Sequence, residues 1–170
     1  MDRLILMRHG KAERHAATGG DFERALSERG RDDAALMARL LAEAGLTPDV
    51  ALVSSARRTR ETWQALEAGF PATAVDFRKD LYHAEAAEVL AAIREAGPER
   101  GTLLVVGHNP GLHELALRLA QGGAPDPGLL ARLRGKFPTS TVAVFAISAD
   151  GAPTMTHLFY VSEHGGQGGE

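Results

Sequence analysis

The chain has 170 residues and no cysteine, with 19 Lys+Arg against 22 Asp+Glu and a formal net charge of −3. That length suits one domain whose core needs no crosslink, and the missing thiols exclude disulfides, thiolate nucleophiles, iron–sulfur clusters and cysteine-based zinc sites. The near-balanced charge is not that of a protein built to coat nucleic acid or an anionic membrane. No apolar stretch approaches membrane-spanning length and the first apolar run is too short for a secretory leader, so a soluble, cytoplasmic protein is expected.

Leu4-Ile5-Leu6-Met7 reads as a strand buried on both faces, as in a parallel sheet covered by helices, and it ends abruptly in Arg8-His9-Gly10. Residues 11–24 are polar and loosest at Thr18-Gly19-Gly20-Asp21, which predicts a loop over that strand end. Ser27 is placed to cap a helix whose apolar face is Ala34, Met37, Ala38 and Leu41 and which stops at Gly45. The same i, i+3, i+4, i+7 spacing recurs at Thr59, Thr62, Trp63 and Leu66, at Ala86, Val89, Leu90 and Ile93, and at Leu112, Leu115, Ala116 and Leu119.

Strand-like runs at 50–53, 74–77 and 103–106 lie between these helices. Strand and helix alternate, which predicts an α/β domain: a three-layer sandwich with a mostly parallel central sheet flanked by helices. Residues 122–138 break the rhythm and are expected to carry a short helix around Leu129, Leu130 and Leu133. Runs at 141–147 and 154–160, joined through Asp150-Gly151, predict an antiparallel C-terminal hairpin. The domain is drawn over 1–162, with 163–170 as a flexible glycine-rich tail.

Open α/β sheets bind ligands outside the carboxyl ends of their strands, and three strand ends here carry reactive residues. At the first, His9 is either a hydrogen-bonded structural residue or an acid, base or nucleophile; Arg8 offers a planar fork for phosphate oxygens, and Gly10 allows close backbone approach or a positive φ. At the second, Ser55 is the expected N-cap, which sets Arg57 and Arg58 in the first helical turn. Cations there cost about 0.3–1 kcal/mol each unless an anion binds between them and the helix end. The alternative is that the arginines extend into solvent with Glu61 compensating; Arg57 and Arg60 are expected outward and one arginine inward. At the third, Gly107-His108-Asn109-Pro110-Gly111 puts Asn109 at an N-cap and Pro110 at N1, leaving His108 on the lip of a turn that has both structural and functional readings. Parallel strands would gather Arg8, His9, Arg58 and His108 on one edge, a pocket suited to a phosphoryl group with little need for a metal.

In Leu6-Met7-Arg8-His9-Gly10, Val53-Ser54-Ser55-Ala56-Arg57-Arg58-Thr59-Arg60-Glu61-Thr62 and Val106-Gly107-His108-Asn109-Pro110-Gly111-Leu112 the chain resembles the histidine phosphatase superfamily, the phosphoglycerate-mutase-like proteins. Arg8-His9-Gly10-Lys11-Ala12-Glu13, Asp21-Phe22-Glu23-Arg24-Ala25-Leu26-Ser27 and Leu81-Tyr82-His83-Ala84 resemble its SixA-type phosphohistidine phosphatase branch. The resemblance implies a phosphatase that needs no metal or cofactor and works through a phosphohistidine intermediate on His9. It implies a phosphoryl group held by Arg8, Arg58 and His108, with Gly10 in the binding set and Arg24 near the pocket mouth, although an arginine at such a place reads more simply as a surface residue. His9 is expected to be neutral, its second ring N–H held by a backbone carbonyl.

Mutase-like relatives protonate an alcohol leaving group with a carboxylate after the third strand. This chain offers Asp80, His83, Glu85 and Glu88 there, none in the mutase-type context, with Glu85 and Glu88 read as an exposed helix face. The lack of a clear acid leans toward a phosphoramidate substrate. His15 lies in the loop near the expected site, while His113, His157 and His164 show no metal-ligand spacing; Trp63, Phe145 and Phe159 read as core. Three functions remain at this point: a phosphatase for phosphohistidine on a phosphotransfer-type protein, a phosphomonoesterase for small phosphorylated metabolites, and a phosphate-dependent binding module without turnover. None requires nucleic acid or a membrane.

Overall fold

The structure, a computed structural model, describes residues 1–169. Six strands, β1 (Arg3–Arg8), β2 (Val50–Ser54), β3 (Ala74–Arg78), β4 (Thr102–Gly107), β5 (Val142–Ile147) and β6 (Pro153–Phe159), form one sheet in the order β3-β2-β4-β1-β5-β6. The first four pair in parallel, and β5 and β6 are antiparallel to their neighbours. This is the predicted mixed sheet.

Five helices cover it: α1 (Glu28–Glu43), α2 (Arg57–Glu67), α3 (Ala86–Ala96), α4 (Gly111–Gly122) and α5 (Pro127–Gly135). Strand side chains alternate between faces, so β1 feeds two cores. Leu4 and Leu6 pack with α3, α4 and α5, and Ile5 and Met7 pack with α1 and α2. The result is the expected three-layer α/β sandwich. Burying four apolar side chains of one strand on both faces contributes about 1.5–3 kcal/mol each, which makes β1 the central rod that carries the site at its tip. The edge strand β3 leaves Val75 and Phe77 exposed.

Local capping matches the sequence at α1, where the Ser27 hydroxyl accepts from Gly30 N–H at 3.1 Å, and departs from it twice. Ser55 does not cap α2; Ala56 holds that position without a side-chain bond, because Ser55 N–H still bonds to the Arg78 carbonyl and continues the β2–β3 ladder. Asn109 does not cap α4, whose N-cap is Pro110; its amide instead donates to the Phe137 carbonyl at 2.9 Å. At α4 a distant carbonyl takes the capping side chain, whereas at α2 the strand ladder carries Ser55 one residue short of the cap position.

The described part of the glycine-rich end runs against α1. Asp33 accepts from Gln167 N–H and Gly168 N–H at 2.9 and 3.0 Å, and Gly169 accepts from Thr139 N–H. Among the described residues no helix is long and apolar enough to cross a membrane.

Candidate active site

Strands β1, β2 and β4 are neighbours in parallel register, with Arg8 opposite Gly107 and Val53 opposite Val106. Their carboxyl ends therefore stand abreast, and the residues just past the three ends meet. His9 stays in the ladder for one more residue: its N–H donates to the Gly107 carbonyl, and its own carbonyl accepts from Ser140 N–H. The nucleophile candidate is thus held by backbone on both sides. The helix α2 turns Arg58 inward, where it is 3 % exposed, while Arg57 pairs with Glu61 at 2.8 Å and Arg60 faces solvent. One arginine of the three faces inward, as the helix geometry requires.

The hydrogen bonds assign the ring protons. His9 Nδ1 lies 2.7 Å from the Gly10 carbonyl, so Nδ1 carries the hydrogen; Nε2 keeps its lone pair and accepts from Arg58 Nε at 3.3 Å. His108 Nδ1 faces an Arg58 terminal nitrogen at 3.3 Å, so its hydrogen sits on Nε2 and is donated to Ser54 Oγ at 2.7 Å. The two rings lie 5.3 Å apart. Both are held neutral. Burial pushes His9 down to about 3, with Arg58, Arg8 and Arg24 adding to it against the Gly10 carbonyl; burial, His9 and Arg58 push His108 to about 2. A neutral imidazole whose Nε2 lone pair is held only by the 3.3 Å bond from Arg58 is in the form that nucleophilic attack requires.

Arg8 is positioned from the far side of the sheet. Its terminal nitrogen donates to the Phe137 carbonyl at 3.0 Å, the same oxygen that holds Asn109. The irregular 122–138 excursion thus ends by orienting a site arginine. Arg24 Nε donates to the Glu13 carbonyl and its terminal nitrogen to Asp21.

Above this buried floor lies a rim centred on Asp21. Its carboxylate accepts from Arg58 at 3.1 Å, Arg24 at 2.9 Å and the Tyr82 hydroxyl at 2.7 Å, with His83 Nε2 at 3.3 Å. Partial burial opposes ionisation, but the bonds from Tyr82 and Arg24 and the Arg58 charge hold Asp21 well below the usual carboxylate range. Burial and then Asp21 raise the Tyr82 phenol, which stays protonated and donating.

A hollow of about 220 Å³ is lined by Arg8, His9, Arg24, Arg58 and His108, together with Lys11, Ala12, Asp21, His83, Asn109 and Thr139. Five of the sequence-predicted residues meet here, Arg24 included. Gly10 does not line it, and its φ is not positive. Its reason is packing: a Cβ there would lie 2.6 Å from the Gly30 carbonyl at the start of α1, while its N–H donates to Thr62 Oγ1 at 3.0 Å. This packing seats the loop against the start of α1.

Of the possible acids, Glu85 and Glu88 close a capping box on α3 and Asp80 is bound to Arg78; only His83 reaches the hollow. His15 lines a neighbouring depression, and His113 bonds the Leu133 carbonyl. Asp21, Ser54 and Tyr82 were not read as site residues. All three lie inside the motifs that carry the family resemblance, which was the one signal that could have singled them out. Among the described residues, no group of three or more side chains is arranged to hold a metal ion. The arrangement gathers guanidinium groups and two neutral imidazoles around one hollow, a set suited to a phosphoryl group.

Comparison with known proteins agrees. The histidine phosphatase superfamily (branch 1) model matches residues 4–83. An uncharacterised chloroplastic protein of Arabidopsis thaliana is 34% identical over 159 residues, covering 88% of this chain and 73% of its own. Among solved structures, a candidate phosphohistidine phosphatase SixA from Agrobacterium tumefaciens is 31% identical with a TM-score of 0.81, over 94% of this chain and 97% of that one. The protein histidine phosphatase SixA complexed with tungstate shares the fold at a TM-score of 0.78 and 24% identity, over 95% and 99% of the two chains. The chain belongs to the histidine phosphatase superfamily, branch 1, on its SixA-type side. Its activity is that of a phosphatase, a hydrolase.

Proposed function

We propose that this phosphatase removes phosphate from phosphohistidine on a protein of the histidine phosphotransfer type, in the cytoplasm, through a phosphohistidine intermediate on His9. The observation that carries this reading is the acid–base character of the hollow: Asp21 is the one carboxylate among its described lining residues, and it is held ionised by its donors. An ionised carboxylate has no proton to give an alkoxide, which leaves the hollow without a carboxylic acid and with only an exposed imidazole, His83, in that position. The imidazole of phosphohistidine leaves as a far weaker base than an alkoxide and needs less help. The exposed rim formed by Asp21, Arg24 and His83 suits a ring offered from the surface of another folded protein. Likeness to proteins named as phosphohistidine phosphatases supports the same substrate class.

In this reading the His9 Nε2 lone pair attacks phosphorus while Gly10 holds the opposite ring N–H. Arg8, Arg58 and His108 take the phosphoryl oxygens and stabilise charge as the group moves. Arg58 is already poised, since its guanidinium spans both imidazoles. Water then releases phosphate from His9. The test compares kcat/KM for a phosphohistidine-bearing phosphotransfer protein with a panel of small phosphomonoesters. The protein is expected to be preferred by at least tenfold; preference for the esters makes the enzyme a metabolite phosphatase and overturns the proposal.

A further inference from the structure

His83 lines the hollow with His9, Arg58 and His108 but is set apart from them by exposure: its side chain is 57% accessible, whereas the other two imidazoles are buried. Its backbone φ is +52°, in the left-handed region that a histidine seldom occupies. Such conformations persist where the surroundings enforce them, and they cluster at functional sites. Here the surroundings are explicit. The ring stacks on Tyr82 at 4.0 Å, turns edge-on to His108 at 5.7 Å, and sets Nε2 3.3 Å from Asp21 Oδ2. A carboxylate and an aromatic face hold a solvent-accessible imidazole over the phosphoryl site.

Phosphoryl transfer through His9 needs a proton twice, once on the leaving atom and once off the attacking water. The other groups are committed. His9 is the proposed nucleophile, and His108 has one ring nitrogen on Ser54 and the other on Arg58. Asp21 carries the Arg58, Arg24 and Tyr82 donors, and Glu85, Glu88 and Asp80 are engaged outside the hollow. An imidazole can both give and take a proton near neutrality, and an exposed one exchanges it with solvent.

We propose that His83 is the proton carrier of this site, with Asp21 as the residue that positions it. The inference rests on the His9 phosphatase chemistry proposed for this pocket. In the first step the protonated His83 gives its proton to the leaving atom. At the same time His9 Nε2 bonds to phosphorus, and the bond from phosphorus to the leaving atom breaks with its electron pair on that atom. In the second, a water oxygen bonds to phosphorus, the Nε2–phosphorus pair returns to His9, and neutral His83 takes the water proton. Phosphate and the protonated leaving group depart, and both histidines are restored. The charged and titratable groups facing His83 are Asp21, Tyr82 and His108, with Arg58 and Arg24 behind Asp21.

The experiment measures kcat/KM across aryl phosphates from 2,4-dinitrophenyl to phenyl phosphate. His83→Asn tolerates the left-handed backbone and removes the imidazole. It is expected to stay within about 3-fold of wild type on the dinitrophenyl ester and to fall about 100-fold on phenyl phosphate, so that the dependence on leaving-group basicity steepens. His83→Gly should lose the same activity and regain part of it with free imidazole in the buffer. A loss equal across the series, or an unchanged slope, overturns the proposal, as does failure of imidazole to restore any rate. The phosphohistidine protein tests the substrate reading and the slope and rescue test His83, so either can fail alone.

Discussion

The floor and the rim of the pocket solve opposite problems with the same residue types. On the floor, His9, Arg58 and His108 are 8, 3 and 4 % exposed, and their ring and guanidinium nitrogens have fold-supplied partners in Gly10, Ser54 and Asp21. Burial there keeps both imidazoles neutral. At the rim, Asp21 stays ionised because Tyr82, Arg24 and Arg58 bond to it. The floor is preorganised in position, with Arg58 already bonded to both imidazoles, and only its bonds to Asp21 must exchange for an incoming anion. The rim is a set of mutually paired, solvent-facing side chains that can re-pair with whatever enters. A buried polar group is thus fixed by what burial forbids, and an exposed one by what its neighbours offer.

The largest expected effect breaks the floor at its centre. Labelled substrate should leave an alkali-stable, acid-labile label on the wild-type protein under rapid quench. His9→Ala should abolish the label and reduce turnover by about 10⁴-fold or more; turnover by a wild-type enzyme that never acquires label would sink the covalent mechanism. Next is Arg58→Lys, which keeps the charge but loses the fork that reaches His9, His108 and Asp21 together. A fall of about 10²–10³-fold in kcat/KM is expected. If lysine suffices, charge alone matters and the fork is irrelevant.

Smaller effects sharpen the contrast. His9 and His108 bind a proton at about 3 and 2 in the fold and near 6.5 when unfolded. Between those values the unfolded chain holds more protons, so stability falls as pH drops below 6.5 and levels off only below about 2. The slope is on the order of 1 kcal/mol per pH unit per histidine. Denaturant titrations across this range should show a shallower slope for His108→Gln, and equal slopes would mean that the floor imidazoles are not the cause. The least disruptive change is at the rim. Asp21→Asn removes the anion that competes for Arg58, so inorganic phosphate should bind about 3–10-fold tighter while kcat falls by a similar factor. Unchanged phosphate affinity would show that Asp21 does not contest the site.

Much of this could be read in residue order. The apolar run at β1, the helical spacing of α1 to α4 and the three motifs placed Arg8, His9, Arg58 and His108 at adjacent strand ends. The two misplaced caps share a cause with the overlooked residues. Ser55 is held in the β2–β3 ladder by its N–H and Asn109 by the Phe137 carbonyl, and the close packing of Gly10 against Gly30 has no local signal.

By itself the sequence determined the alternation of strands and helices and the identity of the reactive residues, because periodicity and strand-end chemistry are local properties. Only the tertiary structure decided which ring nitrogen of each histidine carries the proton, that Asp21 gathers the rim, that Phe137 aims Arg8, and that His83 hangs over the site. Those contacts join Asp21 to Arg58 across 37 positions, Ser54 to His108 across 54 and Arg8 to Phe137 across 129. Side-chain partners at such separations are chosen by the packing of sheet and helices, and no local pattern encodes them.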